Sequence, residues 1–259
     1  MYGLVTLSVV PLRDSDSERS EMVSQLLFGE LVEILDHSEK WVFIKNFTDD
    51  YQGWVDRKMI KPLSEKEFSD ANMAMRLKLS KPYSIIYNAI NNQTMLVPGG
   101  SVIYGLNGDD FQIGTDTWSL IEPQNIHKLP FTSHQIIEIA RQYLNAPYLW
   151  GGKTILGVDC SGLVQLAFAI GGYALPRDAS QQVLMGKTVD FLSEVLPGDL
   201  AFFENDEGHI SHVGILIDSS TIIHASGWVK IESIDAQGII SSITGDYTHQ
   251  LRVIKRIIL

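Results

Sequence analysis

Cysteine occurs once in these 259 residues, at Cys160. No disulfide can form within the chain, so its fold does not depend on an oxidising compartment. Cationic residues are also scarce: 20 lysines and arginines stand against 31 aspartates and glutamates, a formal net charge of -11. That balance argues against a nucleic-acid partner, because phosphate binding needs a cationic surface, and it suits a substrate carrying amino groups. No apolar run approaches the length of a membrane span. The opening stretch, Met1 to Val10, lacks a basic n-region and a small-residue cleavage site. The expectation is a cytoplasmic, monomeric protein with no membrane contact. What is present is 45% hydrophobic residues, enough for one large domain or two to three small ones.

Three regions follow in order. Residues 1–63 carry short strand-like runs: Leu4 to Val10, Leu31 to Leu35, Lys40 to Lys45 and Gly53 to Val55. Polar turns between them, including Pro11 to Ser17 and Asp49 to Gln52, point to a small β-barrel with Trp41 and Trp54 in its core. Residues 64–130 begin with a charged connector, Ser64 to Phe68. Further strands read at Tyr83 to Tyr87, Thr94 to Val97, Ser101 to Leu106 and Asp110 to Ile113, broken by Asn91-Asn92, Pro98-Gly99-Gly100 and Asn107-Gly108-Asp109. This is a second, degenerate barrel without a titratable cluster.

Residues 131–259 change character. Ser133 to Leu144 is an amphipathic helix capped by Thr132 or Ser133. Gly157-Val158-Asp159-Cys160-Ser161-Gly162 then leads into an apolar helical run, Leu163 to Ile170, with Asp159 or Ser161 as its cap. A thiol in the first helical turn meets the positive end of the macrodipole, which favours the nucleophilic thiolate. A lone cysteine is more often a small buried hydrophobe; the polar, glycine-flanked setting and the downstream histidines weigh against that here. Leu175-Pro176-Arg177-Asp178 turns into another helix. Two apolar strands each carry a histidine, His212 and His224, and Leu251 to Leu259 is a last strand. Helices first and antiparallel strands after make this an α+β domain.

The ordered segments P-Y-x-W-G-G, D-C-S-G, L-P-R-x-A-x-x-Q, P-G-D-L-x-F-F, S-H-V-G-I and I-H-A-S-G resemble the NlpC-type papain-like cysteine peptidases of bacterial cell walls. The match covers about Ile136 to the C-terminus. The first region, with its G-E-x-V-x-I-L, W-V-F-I-K and Y-Q-G-W-V-D segments, resembles a bacterial SH3-like domain. Together they are similar to the γ-D-glutamyl-L-diamino acid endopeptidases of murein-peptide recycling, the dipeptidyl-peptidase VI family. The resemblance implies a catalytic domain at 131–259 behind SH3-like domains at 1–63 and 64–130. It also implies cleavage between D-glutamate and the diamino acid of stem peptides, without a cofactor. Cys160 matches the nucleophile, His212 the general base, and His224 the polar residue that orients it. Tyr148 matches the tyrosine placed near the oxyanion, which would act with the Cys160 backbone N–H.

For substrate binding, the resemblance implies that Asp159, Ser161 and Asp178 line the subsite for the peptide's amino end. Acidic groups there would hold the free amine of an N-terminal L-alanine, since a desolvated ammonium needs such partners. From the first SH3-like domain, Glu21 and Tyr51 are the matching acid and aromatic. An ordinary reading stands beside each: Asp159 and Asp178 as helix caps, Glu21 and Tyr51 as solvated residues. His37, His127, His134, His209 and His249 read as surface. A zinc site from Cys160, His209, His212 and His224 has suitable ligand types but lacks a tight C-x-x-C pair, so no metal is expected. Two rival functions are a hydrolase of assembled murein and a non-catalytic wall-binding scaffold.

Overall fold

The computed structural model describes residues 1–123 and 129–258; the surface assignment of His127 lies outside the described residues. The chain divides into two compact units, Met1–Ile126 and His127–Leu259.

The first unit begins with β1 (Tyr2–Leu4), β2 (Val9–Arg13), β3 (Met22–Leu27), β4 (Leu31–His37), β5 (Trp41–Asn46), β6 (Gln52–Asp56) and β7 (Lys61–Leu63). They form one sheet in the order β3-β2-β6-β5-β4-β1-β7, an SH3-like fold around Val10, Leu12, Leu26, Val32, Ile44 and Val55. The stretch expected as one strand, Leu4 to Val10, is two. Between them the Val5 N–H donates to the Glu30 carbonyl, and its own carbonyl accepts from Gly29. Pro11, expected in a loop, sits within β2 opposite Gln25. Trp41 is buried as expected, whereas Trp54 is half-buried, its ring tilted against Phe43 at 5.2 Å.

The charged connector is a helix, α1 (Glu65–Met73). Ser64 and Glu67 close a reciprocal capping box, with the Ser64 N–H donating to the Glu67 carboxylate at 2.8 Å. Then come β8 (Arg76–Lys78), β9 (Tyr83–Asn88), β10 (Gln93–Pro98), β11 (Val102–Asn107), β12 (Asp110–Ile113) and β13 (Asp116–Leu120), in a second sheet ordered β10-β9-β13-β12-β11-β8. The two sheets share one unit because their seam is hydrogen-bonded and apolar. The Tyr104 hydroxyl donates to the Gly29 carbonyl at 2.6 Å, and Leu4, Phe28, Leu31 and Leu63 join the core of the second sheet.

The second unit opens with α2 (Ser133–Arg141), capped by Thr132. A short hairpin follows, β14 (Lys153–Thr154) and β15 (Gly157–Val158), then α3 (Cys160–Ile170) and α4 (Ala179–Gln182). The strands are β16 (Lys187–Val189), β17 (Leu200–Glu204), β18 (Ile210–Asp218), β19 (Thr221–Ser226), β20 (Trp228–Ile234), β21 (Gly238–Ile240) and β22 (Tyr247–Arg256). They are ordered β16-β22-β17-β18-β19-β20-β21, and a further β21–β22 pairing closes the ring into a barrel. Buried along nearly its whole length, α3 packs on α2, β18 and β19. This packing sets the sole thiol against the strands that carry the two histidines. Sequence reading missed β20 and β21, because β20 interleaves Lys230 and Glu232 with its apolar positions and follows Gly227 with almost no turn.

Candidate active site

Cys160 is the first helical residue of α3, and Asp159 is the cap: its Oδ1 accepts from the Gly162 N–H at 2.6 Å. Gly162 leaves room for this, since a Cβ there would come 2.8 Å from Asp159 Oδ1 and closer still to the Gly152 carbonyl. The thiol is 6% exposed. Burial, with the Asp159 charge behind it, pushes the thiol up to about 11; the backbone N–H groups of Val213 and Ser161, and the Arg177 guanidinium, pull the other way. This corrects the expectation of a helix start that favours thiolate. One turn of partial charge does not offset removal of a thiolate from water. The resting group is a thiol, and it needs a base.

A candidate base stands on β18, the strand whose backbone reaches the sulfur. Val213, whose N–H reaches the sulfur, follows His212 directly in β18. His212 Nε2 lies 2.9 Å from Nδ1 of His224 on β19, the two rings edge to face. The strand register explains the meeting: Gly214 stands opposite His224, so His212, two residues back on the same face, is its diagonal neighbour. A Cβ on Gly214 would come within 2.9 Å of the His224 Cβ and 2.7 Å of the Ile222 Cδ1. The glycine of S-H-V-G-I therefore keeps space for the second ring. Both imidazoles are buried, and burial holds both neutral: His212 well below the usual histidine range and His224 at about 4.

Beyond His224 stands a residue that sequence reading missed. Glu232 on β20 is 3% exposed, and its Oε2 is 3.0 Å from His224 Nε2 and 3.3 Å from Lys230 Nζ. Its Oε1 accepts from the Ser242 N–H at 2.8 Å and the Ser242 hydroxyl at 2.9 Å. Burial opposes the charge, but the two Ser242 donors and His224 together hold the carboxyl below its usual range. His249 needs correcting too. Expected at the surface, it is half-buried on β22 and stacks on His212 at 4.2 Å between ring centroids. His37, His134 and His209 are exposed as expected.

Tyr148 is half-buried, and its N–H donates to the Gly227 carbonyl just beyond β19. Burial and the nearby Cys160 and Asp159 raise the phenol, which keeps it a hydrogen-bond donor. Asp159 and Ser161 have another occupation from the one the resemblance implied. Arg177, 1% exposed, forks onto Asp159 through Nη2–Oδ2 at 2.6 Å and Nη1–Oδ1 at 3.0 Å. Asp159 Oδ2 also accepts from the Gly151 N–H at 2.8 Å. Ser161 Oγ accepts from Arg177 at 2.9 Å and lies 3.3 Å from Asp159 Oδ1. Both oxygens of this carboxylate are thus engaged, and its side chain is 6% exposed. Asp178, at the start of α4, is half-exposed and adjoins this cluster in sequence. Glu21 is exposed before β3, and Tyr51, before β6, packs against the first barrel's core; both belong to the first unit. Among the described residues, no group of three or more His, Cys, Asp or Glu side chains is disposed to hold a metal ion.

A buried thiol at a helix start, beside a neutral imidazole backed by a second imidazole and a carboxylate, is equipped for acyl transfer through a thioester. Residues 145–250 match the NlpC/P60 family, and residues 12–60 match the bacterial dipeptidyl-peptidase Sh3 domain. The gamma-D-glutamyl-L-lysine dipeptidyl-peptidase of Bacillus subtilis (strain 168) is 27% identical over 220 residues, 78% of this chain and 71% of that protein. The dipeptidyl-peptidase 6 of Lysinibacillus sphaericus is 24% identical over 270 residues, 92% of this chain and 93% of that one. In fold, the chain resembles the crystal structure of an NlpC/P60 family protein from Bacillus cereus ATCC 10987. The TM-score is 0.85 at 19% identity, covering 99% of both chains.

Proposed function

We propose, for a chain that is an NlpC/P60 cysteine peptidase with a bacterial SH3 domain ahead of its catalytic unit, that it hydrolyses the γ-D-glutamyl–diamino acid bond of free murein stem peptides. The product is L-Ala-γ-D-Glu, released from peptides whose N-terminal L-Ala carries a free amine. The observation that carries the reaction class is the buried line from His212 through His224 to Glu232, beside the only thiol of the chain. The substrate class rests on similarity to relatives named dipeptidyl-peptidases over most of their length.

The chemistry follows from the protonation states. With thiol and imidazole both neutral at rest, His212 acts as a general base and takes the Cys160 proton as the sulfur attacks the γ-carbonyl carbon. The Cys160 backbone N–H and the Tyr148 hydroxyl donate to the oxyanion of the tetrahedral intermediate. His212, now an imidazolium, returns its proton to the leaving amine of the diamino acid, and the C–N bond breaks to leave a γ-glutamyl thioester on Cys160. Water, deprotonated by His212, attacks that thioester and frees the dipeptide acid and the thiol. Among the acidic groups that the family resemblance implies for the substrate ammonium, Asp159 is paired with Arg177, and Asp178 stands half-exposed at the start of α4.

Mass spectrometry of products from paired stem peptides tests this reading, one with a free and one with an acetylated N-terminal alanine. The free peptide should yield L-Ala-γ-D-Glu and the acetylated one should remain intact. Equal cleavage of both would remove the amine anchor and the dipeptidyl-peptidase assignment with it.

A further inference from the structure

A carboxylate is only an acceptor, so Glu232 facing His224 Nε2 at 3.0 Å requires the proton of that neutral ring to sit on Nε2. His224 Nδ1 is then a lone pair. His212 Nε2, 2.9 Å away, must supply the hydrogen between them. This in turn leaves Nδ1 of His212 as the unprotonated nitrogen. Three adjacent strands thus pass one tautomeric choice along a diagonal, each step between neighbours on a single face: Ile222 stands opposite Glu232 and Gly214 opposite His224. The near end of the line is fixed independently. Ser242, with a backbone N–H that cannot reverse its direction, donates to Glu232 Oε1, and Lys230 presents only donors to Oε2.

We propose that Glu232 is a positioning residue for catalysis: through His224 it sets the tautomer of His212 and keeps Nδ1 of that ring empty to accept the thiol proton. This inference rests on the reading of His212 as the base, but not on the identity of the substrate. Burial of both rings in neutral form supports it, since a ring that is charged at working pH has no tautomer to choose. Ser242 and Lys230 make the carboxylate hard to replace. In Glu232→Gln the amide must keep its oxygen toward the Ser242 N–H, so its NH2 turns to His224 Nε2. A donor there forces the proton to His224 Nδ1, strips His212 Nε2, and leaves the proton of His212 on Nδ1, where the base has to be vacant.

The experiment reads the rings directly, by long-range 1H–15N correlation of histidine-labelled protein at neutral pH with no substrate present. In the wild type, His212 and His224 should both appear as Nε2–H imidazoles; either ring as Nδ1–H overturns the proposal, whether or not any variant folds. In E232Q both should switch to Nδ1–H. Turnover should fall about a hundredfold to ten-thousandfold in kcat with little change in KM, the scale of loss when a triad carboxylate becomes an amide and the tautomer is wrong. A loss of kcat with unchanged tautomers, or switched tautomers with unchanged kcat, would equally overturn it. Because the spectrum needs no peptide, failure of the substrate assignment leaves this result standing, and the reverse holds too.

Discussion

Replacing Arg177 with Met should unlock the nucleophile's helix, and the size of the effect can be worked from the contacts. The guanidinium makes two bonds to Asp159, at 2.6 and 3.0 Å, with the paired side chains 1% and 6% exposed. Removing one partner of a buried pair strands the other charge and costs about 3–5 kcal/mol. Asp159 keeps the Gly151 and Gly162 N–H donors at 2.8 and 2.6 Å, so the lower end, about 3 kcal/mol, is expected. For a unit of this size that corresponds to about 10 °C in the melting temperature. Urea unfolding, with hydrogen exchange followed on peptides covering 145–182, localises the loss to the catalytic unit. In an Asp159→Asn background, where no charge is left to strand, the same Arg177→Met change should cost at least about 1.5 kcal/mol less. A cost below about 1 kcal/mol for the single variant, or strictly additive costs in the cycle, would refute the view that this pair anchors the start of α3.

Gly214→Ala would press a methyl against His224 and Ile222 at 2.9 and 2.7 Å; expect about 1–3 kcal/mol of destabilisation from overpacking and a fall in kcat, where wild-type turnover would contradict the spacing argument. Tyr148→Phe removes one oxyanion donor and should lower kcat about a hundredfold while leaving the melting temperature unchanged; unimpaired peptide cleavage would exclude the hydroxyl from that role. Acid should weaken the catalytic unit in a defined window. His224 titrates at about 4 when folded, against about 6.5 in an unfolded chain. Between those values the unfolded chain binds a proton that the folded one refuses, so stability falls as pH drops from 6.5 to 4. His224 alone contributes about 3 kcal/mol of that fall, with His212 adding in the same direction. A urea midpoint that stays constant across this range would count against two buried neutral imidazoles.

Elements stabilised by contacts close along the chain were legible. Thr132 with Gln135, and Asp159 with Gly162, are caps completed three residues away, and the apolar spacing of α3 is visible in its own letters. The capping box at Ser64 and Glu67 was equally local, so α1 was readable from S-E-K-E although its charge invited a connector. The missed pieces share another character. Arg177 lies 18 residues from Asp159, and His249 stacks on a ring 37 residues earlier, the difference between 249 and 212. Nothing in L-P-R or T-H-Q distinguishes a buried partner from a solvated one.

By itself the sequence determined the cast and its order: one thiol at a helix start, a tyrosine ahead of it, and two histidines on successive strands. These depend on backbone propensity, capping and side-chain periodicity, which act over a few residues. Only the tertiary structure decided the charge and partner of each. Burial between α3 and the barrel keeps the thiol protonated and both imidazoles neutral, because desolvation is set by everything packed around a group. The register of β18, β19 and β20 placed Glu232 behind His224, since strand pairing in a closed barrel is settled by all its strands together. The segment between α3 and α4 likewise brought Arg177 back onto Asp159, a partner 18 residues away. The reaction class was written in the letters; the proton's position on each ring was not.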